Sequence, residues 1–322
     1  MGRPTNAWKG ESLMTAFGSS SFTPEVPIES IGALTTGRTW GERLAPFLAN
    51  KLAVLGAILT LFFLIVACIG AAIMYVPGWS DLYIDQRLRQ TLLWPLSPGF
   101  PLGTDQFGRD MMWRIAAGTA VSLFTGLAVT AISIFFGMIL GALAGYAGGI
   151  VDRAISALID LVWGFPVILV AVIFVGALKP GLTAVILAIA VVNWAGFARI
   201  VRAQVISLKE RAFVEAAQAL GVPSWKIIAR HLIPNMLGTT LVMASYYIAV
   251  TIIAEAGLAF IGLGAQPPTP SLGQMISEGR NYLYVNPWVA ILPGMTIALI
   301  VLGLNTLGDG LRDIFDPHLR RS

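Results

Sequence analysis

"FVEAAQALGVPSWKIIARHLIPN", residues 213–235, is a polar island in an apolar chain. It holds Glu215, Lys226, Arg230, His231 and two prolines, Pro223 and Pro234, and long runs of Ile, Leu, Val and Ala flank it on both sides. The pattern predicts a short helix over 213–220 that stops at Gly221, a residue able to take the left-handed conformation of a helix C-terminus. Pro223 and Ser224 open a second helix over 225–232, with Ser224 as its candidate N-cap. Pro234 is expected to end that helix just before the next apolar run. Within it, Ile227 and His231 share a face, as do Ile228 and Leu232, which leaves Lys226 and Arg230 for headgroups or solvent. Ala216 and Ala217 present a shallow surface beside Glu215. A short helix with small side chains fits a groove on another protein. From these residues alone, a solvated connector reads equally well.

The surroundings explain why the island stands out. The 322 residues are 56% hydrophobic and 12% charged, with a mean hydropathy of +0.77. Soluble proteins are roughly 25% charged, and a water-soluble fold of this size could not hide so much apolar surface. Lipid is the natural solvent. The net charge of +4 follows from Lys and Arg placed in cytoplasmic loops. Basic stripes with interleaved aromatics are missing, so nucleic acid is not a partner. The single cysteine, Cys68, excludes a disulfide framework within the chain. Residues 1–51, with Pro4, Pro24, Pro27 and Pro46, are too long and polar for a secretory n-region. They read as a flexible tail with a short helix near 40–48.

Six segments are long and apolar enough to span a bilayer as helices: 52–76, 117–147, 154–178, 182–201, 237–262 and 289–307. The period-two alternation of a membrane barrel is missing. The expected architecture is therefore an all-α integral membrane protein with six transmembrane helices. With the N-terminus inside, fifteen Lys and Arg lie inside and six outside, which favours that orientation. Both termini and residues 213–235 are then cytoplasmic. The divisions are a tail at 1–51, a first span at 52–76, an external segment at 77–116, a five-helix core at 117–308 containing the loop 204–236, and a C-terminal tail at 309–322.

Other residues carry two readings each. Gly137, Gly141, Gly145 and Gly149, at spacing four, form a small-residue ridge for packing within the subunit or against another. Asp160 and Glu255 are ionisable groups inside spans; a buried hydrogen bond is preferred over a proton relay or ligand. Thr104 or Asp105 can cap a helix beginning near Gln106, with Asp105 and Arg109 paired at i,i+4. That helix would either face a docked protein or simply lead into the second span. Pro267, Pro268 and Pro270 stiffen the following external loop. No G-x-x-x-x-G-K-[ST] phosphate loop, no metal-spaced His/Cys set and no nucleophile with a base are present, so the chain reads as non-catalytic.

The island resembles the EAA loop of binding-protein-dependent ABC importer permeases: EAA, three residues, Gly, nine residues, then roughly I-x-L-P. Here the matches are Glu215, Ala216 and Ala217, then Gly221, then a relaxed ending at His231, Ile233 and Pro234. Three further stretches are similar to dipeptide/oligopeptide permeases of DppC/OppC type. These are "PLGTDQFGRDMMWRIAAG" at 101–118, which contains Gly103, Thr104, Asp105, Gly108, Arg109 and Asp110; "AEAGLAFIGLGAQPPTPSLGQMI" at 254–276; and "LGDGLRDIFDPHLR" at 307–320. The resemblance implies a type I ABC importer permease fold in a bacterial or archaeal inner membrane. It implies a second permease of DppB/OppB type, two ATP-binding subunits that hold ATP and Mg, and an extracytoplasmic substrate-binding protein. No cofactor is implied in this chain. Residues 215–234 would be the ATPase-coupling loop. Peptides are the implied cargo, and nickel chelates, glutathione and opines are carried by related permeases. From the residues alone, an ion-coupled secondary transporter and a membrane enzyme are the competing classes.

Overall fold

The computed structural model describes residues 47–315. Expectations for 1–46 and 316–322, including most of the tail helix and the end of the 307–320 stretch, lie outside the described residues.

After a helical end at 47–49, eleven α-helices follow in order among the described residues: α1 (Lys51–Tyr75), α2 (Asp81–Ile84), α3 (Met111–Ala147), α4 (Gly149–Trp163), α5 (Val167–Leu178), α6 (Leu182–Lys209), α7 (Ala212–Ala219), α8 (Ser224–Ile227), α9 (Ile233–Phe260), α10 (Leu272–Gly279) and α11 (Trp288–Phe315). Among the described residues the only β pairings are two isolated bridges. Among the described residues, five stretches are long and apolar enough to cross a membrane: α1, α3, α6, the continuous run Ser224–Phe260, and α11.

Helix starts are set by side chains that satisfy otherwise orphaned amides. Asn50 Oδ1 accepts from the N–H groups of Leu52 and Ala53, and its Nδ2 donates to Asp313 beside the end of α11. Asp110 Oδ1 accepts from Met112 N–H at 2.8 Å and opens α3. The second span therefore starts at Met111, six residues earlier than the apolar pattern indicated, and the expected helix near Gln106 does not form.

The third span departs from expectation in shape. Residues 154–178 are not one helix: α4 and α5 meet at an angle of 86° across Gly164–Pro166. Proline bars its predecessor, Phe165, from helical backbone and offers no N–H of its own.

Glycine contacts fix the helix directions. Gly137 faces Phe197, Gly141 faces Ala198 and Val201, and Gly145 faces Arg202 and Val205. Residue numbers rise together, so α3 and α6 run parallel. The chain must return between them, and α4–α5 is that return. At 1.5 Å per residue the two arms are about 22 and 18 Å long, and at a right angle they reach about 29 Å, one hydrocarbon thickness. Ile159 packs on Ala195 and Ala198, and Ala171 packs near Val185 and Ala188, as a return antiparallel to α6 requires. In contrast, α1 runs antiparallel to α11 (Gly56 against Thr306, Gly303 against Leu59) and to α3 (Gly70 against Ala116). The result is six passages, with residues 50, 147, 209–235 and 313 at one end, here the knuckle end. Residues 76–110, 179–181 and 261–287 gather at the other.

Candidate functional site

At the knuckle end, α7 stops in a Schellman arrangement: Val222 N–H donates to Ala217 O, and Gly221 N–H to Gln218 O, with Gly221 at φ +73°. Val222 folds back onto a cluster containing Ala142, Val201, Val205, Val214, Ala217, Ile227, Leu232 and Met236. This cluster fixes the knuckle on α3, α6 and α9. Lys209 Nζ donates to Tyr146 O at 2.8 Å, and Gln218 Nε2 to the Tyr146 hydroxyl at 3.3 Å, which ties the end of α6 and the knuckle helix α7 to the end of α3.

Three details differ from the expectation. Ala217 is buried and belongs to the cluster, because 214 and 217 face inward at helical spacing; Ala216 and Glu215 remain exposed. Ser224 is the first helical residue and makes no side-chain cap; Pro223 occupies the N-cap. Pro234 does not end the helix. A π-helical turn over Ile228–Leu232 carries the chain straight into α9, with Ile233 N–H donating to Ile228 O five residues back. The widened turn makes room for a proline ring inside a helix, and Asn235 Nδ2 caps the exposed His231 carbonyl at 2.6 Å. It also shifts the buried face by one residue, so Ile227 and Leu232 are buried together and His231 lies beside them, half-buried. Outward lie Glu215, Ala216, Leu220 (83% exposed) and Trp225 (66% exposed), a small-residue patch rimmed by large apolar side chains.

The opposite end holds a knot of polar groups. Thr104 is fully buried; its hydroxyl donates to Gln90 O and accepts from Leu93 N–H. Asp105 is 1% exposed. It accepts from the N–H groups of Phe107 and Arg109 and pairs with Arg109 Nε at 2.6 Å and Arg114 Nε at 3.3 Å. Asp105 and Arg109 thus pair as expected, but across a tight turn rather than along a helix. Glu278 on α10 completes the set, receiving Arg109, Arg114 and Gln106 on Oε2 and Gln274 on Oε1. Gly103 (φ +76°) and Gly108 (φ +73°) lie so close to the carbonyls of Leu93 and Arg87 that neither could carry a side chain. Burial pushes the Asp110 carboxyl above the usual carboxylate range, against the opposing Met112 N–H.

Glu278 and Arg114 were missed in the sequence. Glu278 meets its basic partners more than 160 residues away in the chain, and no local pattern marks such a pair.

Between the ends, Glu255 is fully buried and accepts from Ser122 Oγ at 3.0 Å, joining α9 to α3. Asp160 is exposed and pairs with Arg199. The ridge Gly137, Gly141 and Gly145 faces α6 of the same chain, whereas nothing lies near Gly149. Among the described residues, no three His, Cys, Asp or Glu side chains gather closely enough to hold a metal.

This architecture has relatives. Residues 134–321 match the family model described as binding-protein-dependent transport system inner membrane component. The dipeptide transport system permease protein DppC of Alkalihalophilus pseudofirmus is 38% identical, with 87% of this chain and 90% of the relative covered. The glutathione transport system permease protein GsiD of Pectobacterium atrosepticum is also 38% identical, over 87% and 92%. The oligopeptide transport system permease protein OppC of Bacillus subtilis is 33% identical, over 88% and 90%. Among solved structures, a chain of the inward-facing MetNI methionine ABC transporter superposes with a TM-score of 0.50 at 23% identity, covering 63% of this chain and 97% of that one, which supports the fold alone. Apolar passages, glycine-locked packing and matches along most of the chain agree: the protein belongs to the family of inner-membrane components of binding-protein-dependent transport systems.

Proposed function

We propose that the chain is one of two permease subunits of an ATP-driven importer for small peptides. Its knuckle seats in cytoplasmic ATPase subunits, and an extracytoplasmic binding protein delivers the cargo. The observation that carries this reading is the knuckle itself: a short helix with Glu215 and Ala216 facing outward, rimmed by Leu220 and Trp225, on a base anchored to three membrane helices. A small-residue surface with an apolar rim accepts a groove from another protein. Peptide cargo is supported by the names of the dipeptide and oligopeptide relatives; glutathione, the cargo named for a third, is itself a small peptide. ATP and Mg are bound by the partners, whose closure moves the knuckle and shifts the bundle between inward-open and outward-open states. Both termini and the knuckle are cytoplasmic, in accord with the excess of Lys and Arg assigned to that side.

The test is uptake of a labelled dipeptide by vesicles holding the full assembly, with and without the ATPase subunits. Uptake should require them. Uptake that persists on an ion gradient alone overturns the reading. A cysteine replacing Ala216 should crosslink to an ATPase subunit.

A further inference from the structure

Glu255 is costly where it stands. It is fully buried; Ser122 Oγ donates to its Oε2 at 3.0 Å, and its Oε1 has no hydrogen-bond partner among the described residues. Methionine would fill the same space without leaving a buried acceptor unmet. A buried polar group that adds little to cohesion can still serve register, holding two packed elements at one setting.

The elements it could hold are α3, α9 and α10. Gly273 lies against Ala256, and Ser277 Oγ donates to Phe260 O at 2.7 Å, so α10 runs beside the end of α9 in the same direction. Its N-cap residue, Ser271, is fully buried with its hydroxyl beside the Glu255 carboxyl group. On its other flank α10 meets α3 in the opposite sense: Leu272 packs on Gly118, and Glu278 receives Arg114 at 3.4 Å. Residues 114–122 and 271–278 are thus two antiparallel struts, about 12 and 10 Å long. Glu255 sits between them at the end nearer the knuckle, and Glu278 joins them at the other. Leu272 and Met275 fill the space between, packed with Met111, Ile115 and Ile252. The outer end of this frame is fastened to the turn 104–110, because Glu278 also receives Arg109 and Gln106.

We propose that Glu255 and Glu278 are positioning residues for transport, pinning α9, α10 and the start of α3 in one register so that movement of the knuckle reaches the external segment. This rests on the transport reading above. Apolar helix faces resist separation but slide over one another, whereas a directed buried bond is made at one setting only. With both pins made, displacement of the run Ser224–Phe260 carries α10 and the turn 104–110 with it. Without them α9 slips past α3 and the external segment stays behind.

The experiment uses the whole transporter in liposomes. Glu255→Met combined with Ser122→Ala removes both halves of one pin and strands neither, so the complex should assemble as the parent does, read by gel filtration. ATP hydrolysis should stay within about twofold of the parent's, while alanyl-alanine taken up per ATP falls about tenfold. Glu278→Met, which leaves Arg109 and Arg114 to Asp105, should give the same uncoupling. Glu255→Gln, whose amide oxygen still accepts from Ser122, should restore most of the uptake per ATP. Parent-level uptake per ATP in the paired variant overturns the proposal. So does a fall of uptake and hydrolysis together, in step with lost assembly, which is what a merely structural role gives; so does a Gln variant as uncoupled as the paired one. A second measurement needs no change in the frame. With Cys68→Ser removing the only native thiol, spin labels on Leu96→Cys and Leu178→Cys, both exposed, report across the external end. Their separation should differ between nucleotide-free and ATP-trapped parent, and that difference should shrink to under about half in the paired variant. A separation that ATP leaves unchanged in the parent overturns the proposal. If the parent shows no ATP-dependent uptake, the transport reading fails, whereas the label separations, which need only nucleotide binding, still judge the pins.

Discussion

The two ends of the bundle spend their polar residues in opposite ways. In the knot, Asp105, Arg109 and Arg114 are all buried and held by one another and by Glu278, and the buried Thr104 beside them is bonded to the backbone of Gln90 and Leu93. In the knuckle the base is buried and apolar, while Glu215, Lys226 and Arg230 are exposed and Leu220 and Trp225 project outward. A buried ionic set resists rearrangement, because losing any member strands its partners without water. An exposed rim on an apolar base is a surface kept for something else to cover. The knot therefore fixes the helices at one end, and the knuckle is free to be gripped at the other.

The contrast can be broken first at the knot. Asp105→Ala leaves two buried guanidinium groups, Arg109 and Arg114, to share Glu278 alone, and should cost about 3–5 kcal/mol, read as a large drop in the thermal unfolding temperature of the purified subunit. Gly108→Ala should act in the same direction, since its methyl would strike the Arg87 carbonyl. Next comes the knuckle. Ala217→Asp places a charge in the buried cluster and should lower stability. Ala216→Asp should leave stability within about 0.5 kcal/mol and abolish ATPase co-purification, so the two alanines separate folding from docking. A smaller effect is expected at Gly221. Its φ is +73°, but nothing lies within 4 Å. Gly221→Ala should cost only about 1–2 kcal/mol of backbone strain, less than Gly108→Ala; an equal loss for both would erase the distinction between the ends. Smallest is Asp110→Asn. The native carboxyl titrates above its unfolded value, so it favours folding when protonated and that contribution is lost as pH rises through the folded pKa. The variant, which keeps an N-cap, should melt slightly higher than the parent near neutral pH, and this advantage should vanish below the carboxylate range.

Much of the fold was legible because lipid enforces it. Apolar runs of span length marked six passages, and their alternation sorted the loops onto two ends that the helix directions reproduce. The break at Gly164–Pro166 was written in the residues but masked by the unbroken hydropathy around it. Gly221 announced its left-handed conformation because few residues adopt one. The burial of Ala217 was hidden, since alanine serves equally well on either face of a helix. The π turn was hidden too: Pro234 reads locally as a stop, and the widened turn that accommodates it buries Ile227 with Leu232 in a tertiary cluster that no local pattern marks. Glu278 was invisible because its partners come together only through the tertiary fold.

Because Pro234 interrupts nothing, Ser224 through Phe260 is one rod, 37 residues and about 55 Å long. Its near tip is Trp225, and close to its far tip Glu255 grips Ser122. A shove on that tryptophan has no joint in which to dissipate, so it arrives beside the loop across the bilayer as displacement.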